Sequence, residues 1–345
     1  MREHHIISGT PEDGERQLEA ALRPQRLADF TGQPKLKENL SIAIEAAKRR
    51  GEALDHVLLY GPPGLGKTTL ANIVATELGA GFEQTSAPIL QKKLDLTGIL
   101  SNIQARQVFF IDEIHRLMPD VEEMLYSALE DFRVDILIGT GPGARTHSLT
   151  VPRFTAVGAT TRQGLVSAPL RGRFGLVLRL NPYDIADLKK IVLRSAQLLN
   201  VPIDDDAAAE VARRSRGTPR IANRLLRRVR DYSQVRADGH VDQIVAVTAL
   251  DLLEVDPFGL DEIDQKIMLT ILEKYNGGPV GISTIAASID EEAATIEEVY
   301  EPYLMQLGFL DRTRQGRMAT PRAFEYFGVK PRAFGSPSPQ NSLFE

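Results

Sequence analysis

The run Gly61-Pro62-Pro63-Gly64-Leu65-Gly66-Lys67-Thr68-Thr69 holds the most explicit chemistry in the chain. Gly61, Gly66, Lys67 and Thr68 satisfy G-x-x-x-x-G-K-[ST], the loop that wraps the phosphates of a nucleoside triphosphate. Gly64 and Gly66 let the backbone curl so that its N–H groups point at the β-phosphate, where the next helix start adds positive potential. In this pattern Lys67 reaches the β- and γ-phosphates, and the Thr68 hydroxyl ligates Mg²⁺. An ordinary Gly-rich strand-to-helix turn is the competing interpretation, and the flanks decide against it. Residues 56–60 form a short apolar run suited to a buried parallel strand. Residues 69–78 place Leu70, Ile73, Val74 and Leu78 on one helical face.

A second chemical element is Val108-Phe109-Phe110-Ile111-Asp112-Glu113, an apolar run ending in two carboxylates. A buried strand would deliver Asp112 to the sheet edge to hold Mg²⁺ through water, with Glu113 orienting or deprotonating the attacking water. Such a pair could instead cap the next helix, but a phosphate loop about 45 residues upstream favours catalysis. Gly158-Ala159-Thr160-Thr161-Arg162 follows another strand-like run, and Thr161 is placed to touch the γ-phosphate or the water; a helix N-cap is the alternative. Arg171 and Arg173 precede the last strand of the first unit, where arginine suits phosphoryl transfer, often from a neighbouring subunit. A bare arginine pair is otherwise a solvated surface. Arg220 lies in the first turn of a helix opened by Pro219 and could reach the nucleotide from a second unit. That contact would tie the interdomain angle to nucleotide state. The other arginines of this helix read as solvated or as subunit-interface residues.

The elements that must position these groups alternate strand and helix: strands at 56–60, 108–111 and 154–159, with helical periodicity at 35–50 and 121–130. That order predicts an α/β unit with a parallel sheet covered on both faces. Residues 134–150 interrupt it with two strand-like runs around Gly139, Gly141, Pro142 and Gly143, read as an inserted hairpin. The hairpin is either a partner-docking element or a decorated loop. After Asn181-Pro182 the pattern is almost all helical to Val255. Beyond Asp256-Pro257 come helix-like segments near 261–275, 282–288 and 291–306, then two short strands around a Gly turn in 309–320. Three helices and a hairpin are the pattern of a winged-helix domain. The expected division is 1–183, a large α/β unit with hairpin 134–151; 184–255, a small helical unit; 256–332, a winged-helix unit; and 333–345, a Ser- and Pro-rich disordered tail.

The chain's 345 residues exceed one small core, and 43% hydrophobic with 25% charged residues is a globular composition. No apolar run approaches the roughly 20 residues of a membrane span, and residues 1–14 lack an apolar signal core. The absence of cysteine excludes disulfides and thiolate chemistry, and the six histidines show no zinc-ligand spacing. These features predict a cytoplasmic protein. Net charge is −5, yet residues 210–236 hold nine arginines, and 312–332 hold Arg312, Arg314, Arg317, Arg322, Lys330 and Arg332. Polyanion contact would therefore be local. Arg312 and Arg317 bracket the C-terminal hairpin turn and could pair with DNA phosphates, giving salt-dependent, largely sequence-independent binding. A solubility role is the alternative, which the three-helix context disfavours.

With these residues assembled, the chain resembles the AAA+ ATPases and, within them, the RuvB family of bacterial Holliday-junction branch-migration motors. The resemblance runs from about Leu22 to Gly328 and includes Leu22-Arg23-Pro24, 56–75, 109–117, 158–162, 217–230, 277–281 and 316–320. It implies a large ATPase domain, a helical lid, a winged-helix DNA-binding head, and a hexameric ring on duplex arms. A RuvA-like partner would dock on the inserted hairpin. Carried over by position, Leu22, Arg23, Thr69 and Tyr183 line the nucleotide pocket, Thr161 is sensor 1, Arg220 is sensor 2, and Arg173 is an arginine finger acting in trans. Glu130, Asp131 and Phe132 fall where relatives contact the nucleotide through backbone, and Arg312 and Arg317 match DNA-contact positions. Two departures stand out: Ala293 replaces an arginine implicated in DNA contact, and Gly172 replaces a commonly polar residue. Two other functions share some of these features. A clamp-loader-type ATPase has the same motor core but lacks a winged head, so residues 261–327 discriminate. A nucleotide-gated DNA-binding regulator with little turnover would not need Asp112, Glu113 and Arg173 intact.

Overall fold

The phosphate-loop strand β1 (Val57–Tyr60) is an inner strand of a five-stranded sheet in the computed structural model, which describes residues 21–138 and 145–331. The other strands are β2 (Phe82–Ser86), β3 (Val108–Asp112), β6 (Thr155–Thr160) and β7 (Leu176–Arg179), in the order β2-β3-β6-β1-β7. Every pairing is parallel, with Tyr60 opposite Thr160 and Ile111 opposite Gly158. Thus β6 lies between β1 and β3, and the residues that follow it fall between the phosphate loop and the acidic pair. All three strands end on the same edge, where open α/β sheets bind ligands.

Burial explains why these runs are strands. Val57 and Leu59 join one hydrophobic cluster and Leu58 the other; Val108 and Phe110 divide likewise from Phe109 and Ile111. Alternate side chains therefore fill cores on opposite faces, which requires the near-continuous apolar runs of a doubly covered parallel sheet. Helix Lys67–Leu78 opens at Gly66 and closes at Gly79, both with positive φ, so the phosphate loop feeds it without a break. An edge strand, β2, escapes the sequence reading because its Phe-Glu-Gln-Thr-Ser run is mostly solvent-facing and only Thr85 is buried.

The inserted hairpin pairs β4 (Arg133–Ile138) with β5 (Arg145–Thr150) antiparallel. Its predicted tip at 139–143 lies outside the described residues, as do the chain start, 1–20, and the whole predicted tail, 333–345. A helical unit follows, made of Ile185–Leu198, Asp205–Arg213, Pro219–Arg236 and Gln243–Leu252, and its Leu188, Val192, Leu225 and Leu226 belong to the same cluster as one sheet face. The C-terminal unit has its own core around Tyr300, Phe309 and Ile267. Its helices are Glu262–Leu269, which continues as a π-turn Thr270–Lys274, then Ile282–Ile289, and Ala293–Thr295 running through Ile296–Tyr300 into Glu301–Gln306. The wing pairs β8 (Leu310–Thr313) with β9 (Gly316–Ala319), and helix Pro321–Phe327, absent from the sequence expectation, closes the unit. No helix among the described residues is long and apolar enough to cross a membrane.

The arginine-rich stretch is less solvated than its composition suggests. Arg214, Arg216, Arg224 and Arg227 are buried, which corrects the expectation for the latter two in particular. Arg214 donates through Nε to Glu210 at 2.7 Å and through Nη1 to Val255 O at 2.6 Å. Arg216 leaves the helical unit altogether: its Nε donates to Gly259 O at 2.6 Å, its Nη2 pairs with Asp264, and its guanidinium lies 5.0 Å from the Tyr303 ring centre. The turn that opens the Arg220 helix is thereby fastened to the C-terminal unit. The large unit reaches the same C-terminal unit through Arg162 Nη2 and Glu298 Oε1, 2.5 Å apart and half-exposed.

Candidate active site

A cavity of about 310 Å³ opens at the ends of β1, β3 and β6. Its wall includes Leu22, Arg23, Gly64, Gly66, Lys67, Thr68, Thr69, Asp112, Glu113, Thr161, Tyr183 and Arg220. Local backbone geometry explains the loop. Gly61, Gly64 and Gly66 have φ of 146°, 77° and 99°, values that disfavour any residue with a Cβ. Gly64 has a second reason to be glycine: a Cβ there would stand 2.6 Å from Thr218 Cγ2 and 3.2 Å from Arg220 Cβ. The bare backbone lets the helical unit close onto the loop, and Arg220 N–H donates to Gly64 O at 3.4 Å.

Lys67 is buried at the cavity floor, where Nζ donates to Gly61 O at 2.8 Å and Pro62 O at 2.9 Å. Burial draws its pKa down to about 8, against the nearby Asp112 carboxylate, which raises it. The ammonium is still charged at neutral pH, and triphosphate oxygens would favour that charge further. Asp112 Oδ1 accepts the Glu113 N–H at 2.9 Å. Glu113 itself has φ of 50°, a left-handed backbone uncommon outside glycine. Its carboxylate pairs with Arg116 Nη1 at 3.0 Å.

At the end of β6 two threonines divide the work. Thr160 is buried; its Oγ1 lies 3.0 Å from His115 Nδ1 and accepts the Arg162 N–H at 2.9 Å. Thr160 therefore closes the turn, and Thr161 lines the cavity. Burial raises the Tyr183 phenol pKa, so Tyr183 stays a neutral donor to Leu65 O at 3.3 Å. The 22–24 segment is seated by Arg194 Nη1, which donates to Leu22 O at 2.9 Å. Phe30, Thr31, Ile191, Arg194 and Asn223 also line the cavity and were not anticipated. Asn223 had a readable signal, since it follows Arg220 by one helical turn. The others come from segments whose approach only the fold creates.

Glu130, Asp131, Phe132 and Arg173 are not part of this wall. Helix Pro119–Glu130 ends away from this subunit's own cavity, and Phe132 packs edge-on against Phe154. Glu130 instead meets Arg173, with Nη2 and Oε2 2.7 Å apart. The Glu130–Arg173 pair thus lies outside this cavity.

In the wing, Arg312 is exposed and Arg317 is not. Arg317 Nη2 donates to Glu301 at 2.9 Å and to Glu297 at 2.6 Å. Burial works against its charge, yet the Glu301 and Glu297 carboxylates hold its pKa above the usual value. It is therefore less exposed than its place in the wing suggests, and it braces β9 against the preceding helix. Arg314, at the turn, is the exposed arginine beside Arg312.

Family comparison gives three consecutive matches: the Holliday junction DNA helicase RuvB P-loop domain over 22–180, the RuvB AAA lid domain over 183–256, and the RuvB C-terminal winged helix domain over 257–328. The Holliday junction branch migration complex subunit RuvB of Solibacter usitatus is 73% identical over 345 residues, the full length of both chains. Its counterpart in Koribacter versatilis is 62% identical, covering 98% of this chain and 93% of that protein. Among solved structures, the Thermotoga maritima RuvB Holliday junction branch migration motor superposes with a TM-score of 0.82 at 50% identity, covering 90% of this chain and 99% of that one.

Proposed function

The chain belongs to the RuvB family of AAA+ ATPases that drive Holliday junction branch migration, and we propose that it does so as a homohexameric ring on duplex arms, with ATP held between neighbouring subunits. The observation that carries this reading is the gathering of phosphate loop, acidic pair, Thr161 and, from a second unit, Arg220 around one cavity. The loop N–H groups and Lys67 bind the β- and γ-phosphates, with Leu22, Arg23, Thr69 and Tyr183 around the rest of the nucleotide. Thr68 and Asp112 would hold Mg²⁺: a hydroxyl and a carboxylate are the hard oxygen donors this ion takes beside phosphate and water. When bound, the ion neutralises charge on the phosphate oxygens. No cluster of three or more His, Asp or Glu among the described residues offers a fuller metal cage.

Glu113 orients the attacking water and accepts its proton as the water oxygen bonds to the γ-phosphorus and the bond to the ADP oxygen breaks. Thr161 contacts the γ-phosphate, and Arg220 ties lid position to its presence. Arg173, with Glu130, Asp131 and Phe132 beside it, serves the neighbouring subunit's nucleotide. The division into 1–183, 184–255, 256–332 and 333–345 follows the same assignment, with hairpin 134–151 docking a RuvA-like partner and the ring working in the cytoplasm. Purified chain should dissociate a four-way junction with ATP, faster with that partner, and not with a non-hydrolysable analogue. Junction dissociation that fails with ATP would overturn this reading, and the absence of DNA-stimulated phosphate release would favour a nucleotide-gated regulator.

DNA contact falls to the wing. The helix beginning at Ala293 is flanked by Glu291, Glu292, Glu297 and Glu298, which oppose entry into a groove. Arg312 is exposed on the hairpin. Replacing Arg312 with Ala should weaken duplex binding evenly across sequences and lower the salt dependence by about one phosphate contact. Titrations at several salt concentrations read this directly, and an unchanged slope would remove Arg312 from the interface.

A further inference from the structure

Arg173 does not hang free in solvent. Its guanidinium carbon stands 4.5 Å from the centre of the Tyr126 ring, Nη2 meets Glu130 at 2.7 Å, and Nη1 donates to Pro169 O at 2.8 Å. Tyr126 is in turn fixed: its hydroxyl donates to Glu122 and lies 3.0 Å from Ser167 Oγ, and the Ser167 hydroxyl also donates to Glu122. Ser167 is the N-cap of helix Ala168–Arg171, accepting the Leu170 N–H at 3.2 Å. A closed triangle of side chains thus ties helix Pro119–Glu130 to the turn that carries the arginine.

We propose that Tyr126 is the positioning residue for Arg173, a ring platform that holds the guanidinium at one orientation before a neighbouring nucleotide meets it. A long arginine side chain otherwise samples many rotamers, most of them useless for stabilising charge on a transferring phosphoryl group. The ring face attracts the cation without neutralising it, so the donors remain able to turn to phosphate oxygens. Glu130 supplies the opposing charge while no phosphate is near. Tyr126 lies outside the subunit's own cavity, so its effect should fall on the neighbour's turnover and not on its own nucleotide affinity. The inference rests on the trans-acting role of Arg173.

The test uses the full chain on DNA. Tyr126→Leu should lower kcat for ATP roughly three- to thirtyfold, the value range of a ring–guanidinium contact, with KM for ATP unchanged. Tyr126→Phe keeps the ring face and should stay within about twofold of the native rate. Mixing Tyr126→Leu with Lys67→Ala subunits should restore turnover, because the Lys67→Ala neighbour contributes an intact platform and finger. A native kcat in Tyr126→Leu, or equal losses in the Leu and Phe variants, overturns the proposal. Mixing also separates the two ideas. Recovery with Arg173→Ala but not with Tyr126→Leu rejects the platform alone, whereas recovery with neither rejects the trans role of Arg173 itself.

Discussion

Glu113→Gln is expected to bind ATP normally and to hydrolyse it some 10²- to 10⁴-fold more slowly, the usual contribution of a positioned general base. The substitution keeps size and hydrogen-bonding capacity but removes the charge that accepts a proton. The competing role for the acidic pair, capping the next helical turn, predicts the reverse: normal hydrolysis with some loss of stability. Geometry already separates the two. Glu113 occupies the N-cap position of the short turn Ile114–Arg116 but makes no side-chain cap hydrogen bond. Its N–H is instead taken by Asp112 Oδ1, and its side chain reaches Arg116. A glutamate that makes no side-chain cap hydrogen bond speaks against the capping role. Phosphate release measured beside fluorescent-nucleotide binding reads both halves of the prediction. Hydrolysis near the native rate in Glu113→Gln would transfer the proton-accepting role to another group, and Asp112, beside it at the end of β3, is the carboxylate to test next.

The chemistry was legible in the sequence because ligand geometry fixes residue spacing. A phosphate loop needs its glycines, lysine and threonine in one order, and a buried strand must be apolar up to its final carboxylate, as in Val108–Asp112. Alternating strand and helix patterns likewise gave the parallel sheet, while β2 was missed because an edge strand need not be apolar. What stayed hidden were pairings across long sequence separations. Arg317 looked like a solvent-facing wing residue, but its partners Glu297 and Glu301 lie 20 and 16 residues earlier on a helix that the wing folds against. Arg216 looked like one more arginine in a basic run, yet it meets Asp264 48 residues away. Local composition records charge; only the fold decides whether that charge faces water, phosphate or a carboxylate.

Asp264→Ala should be among the most damaging changes outside the nucleotide cavity, costing about 3–5 kcal/mol in the interface between the helical and C-terminal units, as for any buried pair that loses one partner. Asp264 is fully buried and Arg216 is 5% exposed. Asp264 Oδ2 also accepts the Asp261 N–H at 3.0 Å, and Asp261 stands 3.8 Å from Arg216, so one carboxylate organises both the helix start and the pair. Burial pulls the Arg216 pKa down, against the raising effect of Asp261, and without Asp264 the buried cation would keep only the more distant Asp261 carboxylate to offset that penalty. The mechanical consequence follows from position. Arg216 precedes Gly217 and the Pro219–Arg236 helix that carries Arg220, so the pair links the nucleotide-facing turn to the DNA-facing unit. By contrast, the large unit holds that C-terminal unit by the half-exposed Arg162–Glu298 pair, a type of contact worth about 0–1 kcal/mol. Lid and head are therefore expected to turn together while the surface pair yields. Asp264→Ala should consequently keep more of its ATP hydrolysis than of its junction dissociation, with an early unfolding step in thermal melts. The double variant Arg216→Met with Asp264→Leu should recover the melt, since apolar replacement of both partners is often neutral or stabilising. An unchanged melt and undiminished junction dissociation in Asp264→Ala would show that force passes from lid to head by another route.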